Sequence, residues 1–366
     1  MIPLPEGNAI VYCQGAYGTS NGKTAHGLVR RTRRYRVLSV VDAHSAGQDA
    51  GELLNGSPSS IPIYADVAAA VEAADHDEET RRPTHLVVGL APDGGRLPPE
   101  ARQEIAVALE LGLNVDSGLH DFLSEDPGLV QVANRVGVAI RDIRKPPDRS
   151  RLHFFSGKIE EVDSLKIAVL GTDSAVGKRT TAWLLVDALQ GTGRSAELIG
   201  TGQTAWMQGA QYCIVLDSLV NDFVAGEIEH AIWCAWNEVR PDVIVIEGQG
   251  SLMNPAYPGG HEILAAGRPD VVVLQHAPAR EEYDGFRGYP LHPLPLQIHA
   301  IELLSGSPVV AIAISHEGLN EAQAEAAVAA IESETGLPCC DPLRSGVDSI
   351  LASLSYKSKT RHDADR

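Results

Sequence analysis

The stretch from Gly171 to Lys178 has the residue types and the spacing of a phosphate-binding turn. It follows an apolar run at residues 165–170 and leads into a segment of helical composition. Backbone N–H groups of a glycine-bounded turn converge on an anion, and the start of a helix adds partial positive charge. The Lys178 ammonium can reach outer phosphate oxygens, although an ordinary tight turn would give a similar pattern. The predicted cofactor-binding residues are Gly171, Thr172, Asp173, Ser174, Ala175, Val176, Gly177, Lys178, Arg179 and Thr180.

Two features of this loop depart from the standard phosphate-binding loop of nucleotide hydrolases. Five residues rather than four separate the two glycines, and Arg179 stands where a Ser or Thr normally binds magnesium. Hydroxyls come only one and two positions later, at Thr180 and Thr181. A cation at position 179 discourages a second cation and suits a ligand held through its phosphates alone. We therefore predict no metal site, and the alternative is that Thr180 or Thr181 holds magnesium beside ATP.

Polar residues also follow other apolar runs in the second half of the chain. Glu247 ends the run that begins at Asp242, which resembles a Walker B strand whose acid reaches a phosphate-bound cation or accepts a proton. His276 ends another such run. Ligands of open parallel sheets collect beyond the carboxyl ends of the strands, so these residues together predict a site, although each alone could cap a helix. We expect catalytic roles for Glu247, His276 and Lys178.

Composition restricts the partners that this chain can have. Its 366 residues include 48 acidic and 30 basic ones, and the net charge is −18. Such a charge repels nucleic acid and anionic lipid, so a polyanionic ligand needs a local site; a salt-adapted source would also explain it. No apolar run approaches the roughly 18 residues of a membrane span, and residues 1–7 lack the basic start of an export signal. We expect a cytoplasmic protein without nucleic-acid or membrane partners.

Short buried strands alternate with helical stretches in both halves of the chain, which predicts an α/β protein with parallel sheets. We expect an N-terminal Rossmann-like domain over residues 1–143 and a C-terminal P-loop NTPase-like α/β domain over 165–355. Residues 144–164 are rich in charge and proline and are predicted to connect the two domains. Residues 356–366 have nothing to bury and are predicted to form a disordered tail.

A second glycine-rich loop lies near the N-terminus. Gly22-Lys23-Thr24 imitates the end of a phosphate loop, but its spacing from Gly15 and Gly18 is wrong. Asp42 follows the second predicted strand, where dinucleotide-binding domains place a ribose-binding acid. Two interpretations therefore stay open, a site for a cofactor phosphate and a Rossmann turn without ligand.

These motifs resemble two groups of enzymes. The Gly171–Lys178 loop resembles that of dethiobiotin synthetase, an ATP-dependent enzyme. Nearly the whole chain resembles more closely the two-domain family typified by D-glutamate N-acetyltransferase. The segments that carry this second resemblance are Gly22-Lys-Thr-Ala-His-Gly27, Ala175-Val-Gly-Lys-Arg-Thr-Thr181, Gly200-Thr-Gly-Gln-Thr204, Asp217, Asn221-Asp-Phe-Val-Ala-Gly-Glu-Ile-Glu229, Glu247-Gly-Gln-Gly-Ser-Leu252 and Cys340-Asp-Pro-Leu-Arg344.

The family resemblance implies transfer of an acetyl group from acetyl-coenzyme A to the amine of a D-amino acid, with D-glutamate as the expected acceptor. The Gly171–Lys178 loop would then hold the phosphates of the coenzyme. The alternative is an ATP-dependent, carboxylate-activating ligase or kinase-like enzyme, in which Lys178, Asp173 and Glu247 bind ATP with magnesium. A sensor that binds a nucleotide without catalysis is a third possibility, and a homo-oligomer is expected in each case.

The transferase interpretation requires a base, an oxyanion stabiliser and a partner for the substrate carboxylates. Candidates for the base are His276, His261 and Glu247. Loop N–H groups or Gln203 can stabilise the charge that develops on the thioester carbonyl. Arginine pairs with a carboxylate through two parallel bonds, so Arg280, Arg287 and Arg344 are candidates for binding the substrate. The predicted substrate-binding residues are Gln203, Asp217, Asp222, Gln249 and Arg344.

Overall fold

The computed structural model of the chain describes residues 5–75 and 82–354. The chain forms two compact units. The N-terminal unit comprises Met1–Pro147 together with Gly202–Gln211, and the C-terminal unit comprises Asp148–Thr201 and Tyr212–Arg366. The predicted tail at 356–366 lies outside the described residues.

The N-terminal unit contains a six-stranded parallel sheet. Its strands are β1 (Gly7–Tyr12), β2 (Tyr35–Val41), β3 (Ile63–Tyr64), β4 (His85–Val88), β5 (Asn114–Ser117) and β6 (Ile140–Asp142). Its helices are α1 (Lys23–Arg30), α2 (Ala50–Asn55), α3 (Val67–Asp75), α4 (Pro99–Glu110) and α5 (Pro127–Val136). The strand order is β3-β2-β1-β4-β5-β6, which is the order of dinucleotide-binding Rossmann sheets. The predicted Rossmann-like domain is confirmed.

Apolar runs explain why β1 and β4 form the middle of this sheet. Ile10, Val11, Leu86 and Val87 are all fully buried, as expected for strands that helices cover on both faces. The chain changes direction across the sheet between β1 and β4, so the unit's crevice lies beyond Tyr12 and Val88.

Residues 202–211 come from the second half of the sequence but belong to the N-terminal unit. We call them the inserted segment. They include a short helix, α7, at Gln203–Met207. The Arg34 guanidinium stacks 3.7 Å from the ring of Trp206 and donates a 2.6 Å hydrogen bond to its carbonyl oxygen. Gln208 donates a 2.7 Å hydrogen bond to the carbonyl oxygen of Gly27. These contacts hold the segment in the N-terminal unit, whereas the sequence boundaries placed it in the second domain.

The C-terminal unit contains a seven-stranded parallel sheet in the order β13-β12-β11-β7-β10-β8-β9. Its strands are β7 (Leu165–Gly171), β8 (Ala196–Gly200), β9 (Tyr212–Cys213), β10 (Val243–Glu247), β11 (Val271–His276), β12 (Val309–Ile314) and β13 (Cys339–Cys340). Its helices are α6 (Lys178–Gly191), α8 (Asn221–Val239), α9 (His261–Gly267), α10 (Leu294–Ser305) and α11 (Glu321–Thr335). Three strands lie on either side of β7, so the predicted phosphate loop starts from the central strand.

The charged stretch at 144–164 is not simply a connection. From Asp148 onward it belongs to the C-terminal unit, where Ile159 and Val162 are buried in the hydrophobic core. These two buried side chains anchor the stretch in that unit. Among the described helices, none combines the length and the apolar character that crossing a bilayer requires.

Candidate active site

The Gly171–Lys178 segment forms a tight loop between β7 and α6. Gly177 has a φ of 108° and caps the N-terminus of α6, a conformation that favours glycine. A side chain at Gly171 would begin 3.0 Å from the Lys178 Nζ, so glycine is needed for the lysine to lie across the strand end. Ala175 also has a positive φ, of 54°, and its residue is exposed. The positive φ at Gly177 and the close approach at Gly171 explain why glycine stands at these two positions.

Lys178 lies inside this loop. Its ammonium donates hydrogen bonds to the carbonyl oxygens of Asp173, at 2.7 Å, and Gly250, at 2.8 Å. The residue is only 7% exposed. Lys178 thus joins the loop to the glycine-rich segment that follows β10, and it supplies positive charge from beneath the turn.

The Asp173 carboxylate is fully buried and binds three neighbouring segments. Its Oδ1 accepts a 2.8 Å hydrogen bond from the Asn254 side chain. Its Oδ2 accepts hydrogen bonds of 2.9 Å from Arg280 and from the backbone N–H of Asp284. The side chain therefore fixes the loop, and its Oδ1 also accepts a 2.7 Å hydrogen bond from the backbone N–H of Ser174.

Glu247 is a buried acid near the loop, and it interacts electrostatically with Arg179. Glu247 is 4% exposed, and its carboxylate accepts a 2.9 Å hydrogen bond from the backbone N–H of Thr201. Burial raises the pKa of Glu247, and the positive charge of Arg179 opposes that rise. Burial lowers the pKa of Arg179, and the negative charge of Glu247 opposes that decrease. The guanidinium that replaces the usual magnesium-binding hydroxyl is therefore the electrostatic partner of the Walker B-type acid.

Two threonines of the loop region bind residues at the end of β11. The Thr181 hydroxyl donates to the side-chain oxygen of Gln275. The Thr172 hydroxyl lies 3.0 Å from Nδ1 of His276. Burial lowers the pKa of His276 to about 4, so its imidazole is neutral at physiological pH. His276 is thus next to the loop, as the sequence predicted, but it is a weak base.

A cleft too narrow to hold a water molecule lies beside the start of the loop. The Ser251 hydroxyl is buried there, and it has no hydrogen-bond partner among the described residues. Gln249 also lines the cleft and donates a 3.1 Å hydrogen bond to the Thr201 hydroxyl. The other lining residues are Leu170, Gly171, Leu252, Met253, Gly259, Gln297 and Ile301. The cleft thus combines apolar walls with an unsatisfied donor.

The predicted substrate-binding residues lie on several different segments. Gln203 belongs to the inserted segment and lies beside Gly118 in the N-terminal unit. Asp217 and Asp222 are exposed and follow β9, an edge strand three strands from β7, or roughly 14 Å by the usual strand spacing. Arg344 follows β13 at the opposite edge. Two further candidates are exposed: His261 and Arg287.

The structure shows contacts of three residues to which the sequence analysis gave no role in the site. Thr201 bonds to Glu247, Asn254 to Asp173, and Gln275 to Thr181. Thr201 lies within the segment Gly200–Thr204 that carries the family resemblance, and Gln275 directly precedes His276, so the sequence could have indicated both. Asn254 lies in the loop that follows the segment Glu247–Leu252.

The N-terminal glycine-rich loop uses its polar groups within the N-terminal unit. The Asp42 carboxylate accepts 2.7 Å hydrogen bonds from the backbone N–H of Gly15 and from the Ser45 hydroxyl. The Thr24 hydroxyl lies 3.0 Å from that of Thr204 in the inserted segment. These contacts favour the interpretation of a structural turn.

Two family models match the chain. Residues 43–146 match a Rossmann-like domain of unknown function, DUF1611_N, and residues 153–351 match a P-loop domain of unknown function, DUF1611_C. A crystal structure of a DUF1611 family protein from Anabaena variabilis is similar, with a TM-score of 0.87 and 30% sequence identity. That alignment covers 95% of this chain and 99% of the other.

Two curated proteins are also similar, and each is named D-glutamate N-acetyltransferase. The protein from Tritonibacter scottomollicae is 32% identical over 281 residues, which cover 74% of this chain and 80% of the relative. The protein from a Pseudoalteromonas species is 31% identical over 275 residues, with the same coverage of 74% and 80%.

Proposed function

The chain belongs to the DUF1611 family, and on that premise we propose that it is an N-acyltransferase that moves an acetyl group from acetyl-coenzyme A to the amine of a D-amino acid, with D-glutamate as the expected acceptor. The names of the two curated relatives support the reaction type. A shared fold alone would not, because one fold serves many reactions.

The cation at position 179, directly after Lys178, is the observation that carries this proposal. A kinase or ligase of the P-loop class uses a hydroxyl after the lysine to hold magnesium against the nucleotide. Here the Arg179 guanidinium occupies that sequence position, and its positive charge favours the ionised form of Glu247. Arginine binds phosphate oxygens directly and stays charged, so Lys178 and Arg179 can neutralise coenzyme phosphates without a metal.

The residues around the loop fit coenzyme A. Its phosphates suit the backbone N–H groups of the turn and the two cations at the start of α6. When bound, the coenzyme supplies an acyl group already activated as a thioester. The chain's own residues then have to position the amine and remove its proton.

The alternative is an ATP-dependent ligase, and the P-loop itself is the observation that favours it. One experiment separates the two. The purified full-length protein is incubated with acetyl-coenzyme A and D-glutamate, with L-glutamate as the matched acceptor control, and N-acetylated product and free thiol are measured. We expect equal amounts of both, only with the D-isomer, and no loss of rate on chelation of magnesium. Stoichiometric ADP from added ATP, with activity lost on chelation, would support the ligase instead.

A further inference from the structure

A histidine and an aspartate form a pair beyond β12 and β13, at the carboxyl end of the C-terminal sheet. His316 Nδ1 lies 2.6 Å from Asp341 Oδ2. Asp341 is 4% exposed, whereas the His316 side chain is 33% exposed. A carboxylate on Nδ1 fixes the tautomer of the ring and leaves Nε2 as the proton acceptor. This is the arrangement of an oriented general base.

The pair is linked to the phosphate loop through Arg280. One nitrogen of this guanidinium donates a 2.8 Å hydrogen bond to the carbonyl oxygen of Ser174, and another donates a 2.7 Å bond to the Glu317 carboxylate, next to His316. The backbone N–H of Ser315 also donates a 2.7 Å bond to the carbonyl oxygen of His276 at the end of β11. The pair therefore lies along the same rim of the sheet as the loop, two strands away.

This separation suits acyl transfer from coenzyme A. The thioester lies at the far end of the pantetheine arm from the phosphates, so the acceptor amine has to bind at a distance from the phosphate loop. Two strand spacings, or roughly 10 Å, provide that distance without leaving the crevice.

Arg344 also approaches Asp341. Its Nε lies 3.7 Å from Asp341 Oδ2, and its side chain is 36% exposed. His316 and Arg344 thus converge on one carboxylate oxygen. An imidazole and a guanidinium held so close can receive the amine and a carboxylate of one amino acid.

We propose that His316, Asp341 and Arg344 form the acceptor subsite, in which His316 removes the proton from the substrate amine, Asp341 positions His316, and Arg344 binds a substrate carboxylate. This inference rests on the proposed function. It replaces His276 as the base, because His276 is buried against Thr172 and its pKa is about four units below that of an ordinary amino group.

The proposed reaction removes two protons from the substrate ammonium, forms one carbon–nitrogen bond and breaks one carbon–sulfur bond. The substrate ammonium gives one proton to His316 Nε2, and the neutral amine forms a bond to the thioester carbonyl carbon. The carbon–sulfur bond then breaks, and the thiolate takes the second amine proton to leave as the coenzyme thiol. His316 returns its proton to solvent. The charged groups around the imidazole are Asp341, Arg344, Glu317 and Arg280.

The test is the pH dependence of N-acetylation in four variants of the full-length protein. His316→Gln should lose about 100-fold in rate at pH 7, the range expected for loss of a general base. Because the free amine accumulates at high pH, this deficit should shrink by about tenfold per pH unit until the acceptor amine is neutral. Asp341→Asn should show the same trend with a smaller loss, and its donor KM should not change. His299→Gln, on the exposed face of α10, is the matched control and should match the wild type.

The fourth variant tests the carboxylate site. Arg344→Gln should raise the KM for D-glutamate at least tenfold with little change in the KM for the donor. A ratio of wild-type to His316→Gln rate that stays constant with pH, or a loss of less than threefold in either subsite variant, would overturn this inference alone. Failure of the wild-type protein to acetylate any D-amino acid would overturn both this inference and the proposed function.

Discussion

Asp173 and Arg280 form an ion pair at 2.9 Å in which the carboxylate is fully buried and the arginine side chain is 12% exposed. The same arginine donates to the carbonyl oxygen of Ser174, so a single side chain holds the phosphate loop from two directions. The loop's conformation is therefore set before any anion arrives. A binding site arranged in advance spends less of its interaction energy on ordering the chain.

Removal of the Asp173 carboxylate should destabilise the C-terminal unit. In Asp173→Ala the hydrogen bonds to Asn254, Arg280 and Asp284 are lost and a largely buried cation has no partner at this position, so we expect a cost of about 3–5 kcal/mol. Urea denaturation followed by tryptophan fluorescence measures it, because three of the four tryptophans lie in this unit: Trp183, Trp233 and Trp236. Glu325→Ala, an exposed position on α11, is the control and should change stability by less than about 0.5 kcal/mol.

Lys178 and Lys23 distinguish the two glycine-rich loops. Lys178→Met should weaken binding of coenzyme A at least tenfold, because it removes a charge from beneath the phosphate turn while retaining an apolar side chain. Lys23→Met changes the exposed lysine of the N-terminal loop and should leave the affinity as it is. Isothermal titration calorimetry measures both. The opposite result, with only Lys23→Met affected, would move the phosphate site to the N-terminal loop.

The substitution Arg179→Ser introduces the hydroxyl that a standard phosphate-binding loop has after its lysine. Without its positive charge, Arg179→Ser should bind coenzyme A about tenfold more weakly in a chelator, and magnesium should restore part of the affinity because Glu247 can then act as a metal ligand. The wild-type protein should bind equally well with and without magnesium. Arg151→Ser, at an exposed arginine of the same unit, controls for the change in net charge. Magnesium dependence in the wild-type protein would contradict this account of Arg179.

His276 should make the folded state less stable as the pH falls. Its pKa is about 4 in the folded protein against an ordinary value of 6.5, so between these values the unfolded chain binds more protons. Stability therefore rises with pH across this window, by up to about 3 kcal/mol from this group. In His276→Gln the decrease in unfolding free energy between pH 7 and pH 4.5 should be smaller by about that amount. Urea denaturation at several pH values measures it, and an unchanged slope would show that the group does not titrate abnormally.

The sequence predicted the main strands well because each is a run of apolar residues long enough to be recognised. The run at 165–170 corresponds to β7 at Leu165–Gly171, and the run from Asp242 to Glu247 corresponds to β10 at Val243–Glu247. The strand β13 was not predicted, because it contains only Cys339 and Cys340 and so has no periodicity. Without that strand, the sequence did not place Asp341 and Arg344 at a carboxyl end of the sheet.

The sequence predicted the phosphate loop itself but not the residues that bind to it. Gly171 and Gly177 can be recognised from sequence because their conformations restrict residue type. By contrast, the bond between Asp173 and Asn254 joins residues 81 positions apart, and no local pattern encodes it. The same limit explains Gln203, whose motif was placed with the second domain although Trp206, three residues later, is held by Arg34 in the first. The predicted roles of Glu247, His276, Gln249 and the loop residues stay predictions for the experiments above.

Because of the inserted segment, the two units cannot be separated by dividing the coding sequence at one point. The chain passes from one unit to the other after Pro147, after Thr201 and after Gln211, so no single cut yields both units with all their residues. A fragment ending at Pro147 would lack the Trp206 ring that Arg34 stacks on and the Gln208 amide that α1 binds. Recombination that exchanges one domain for another would leave the same defect. Each half is therefore expected to be inherited together with the other.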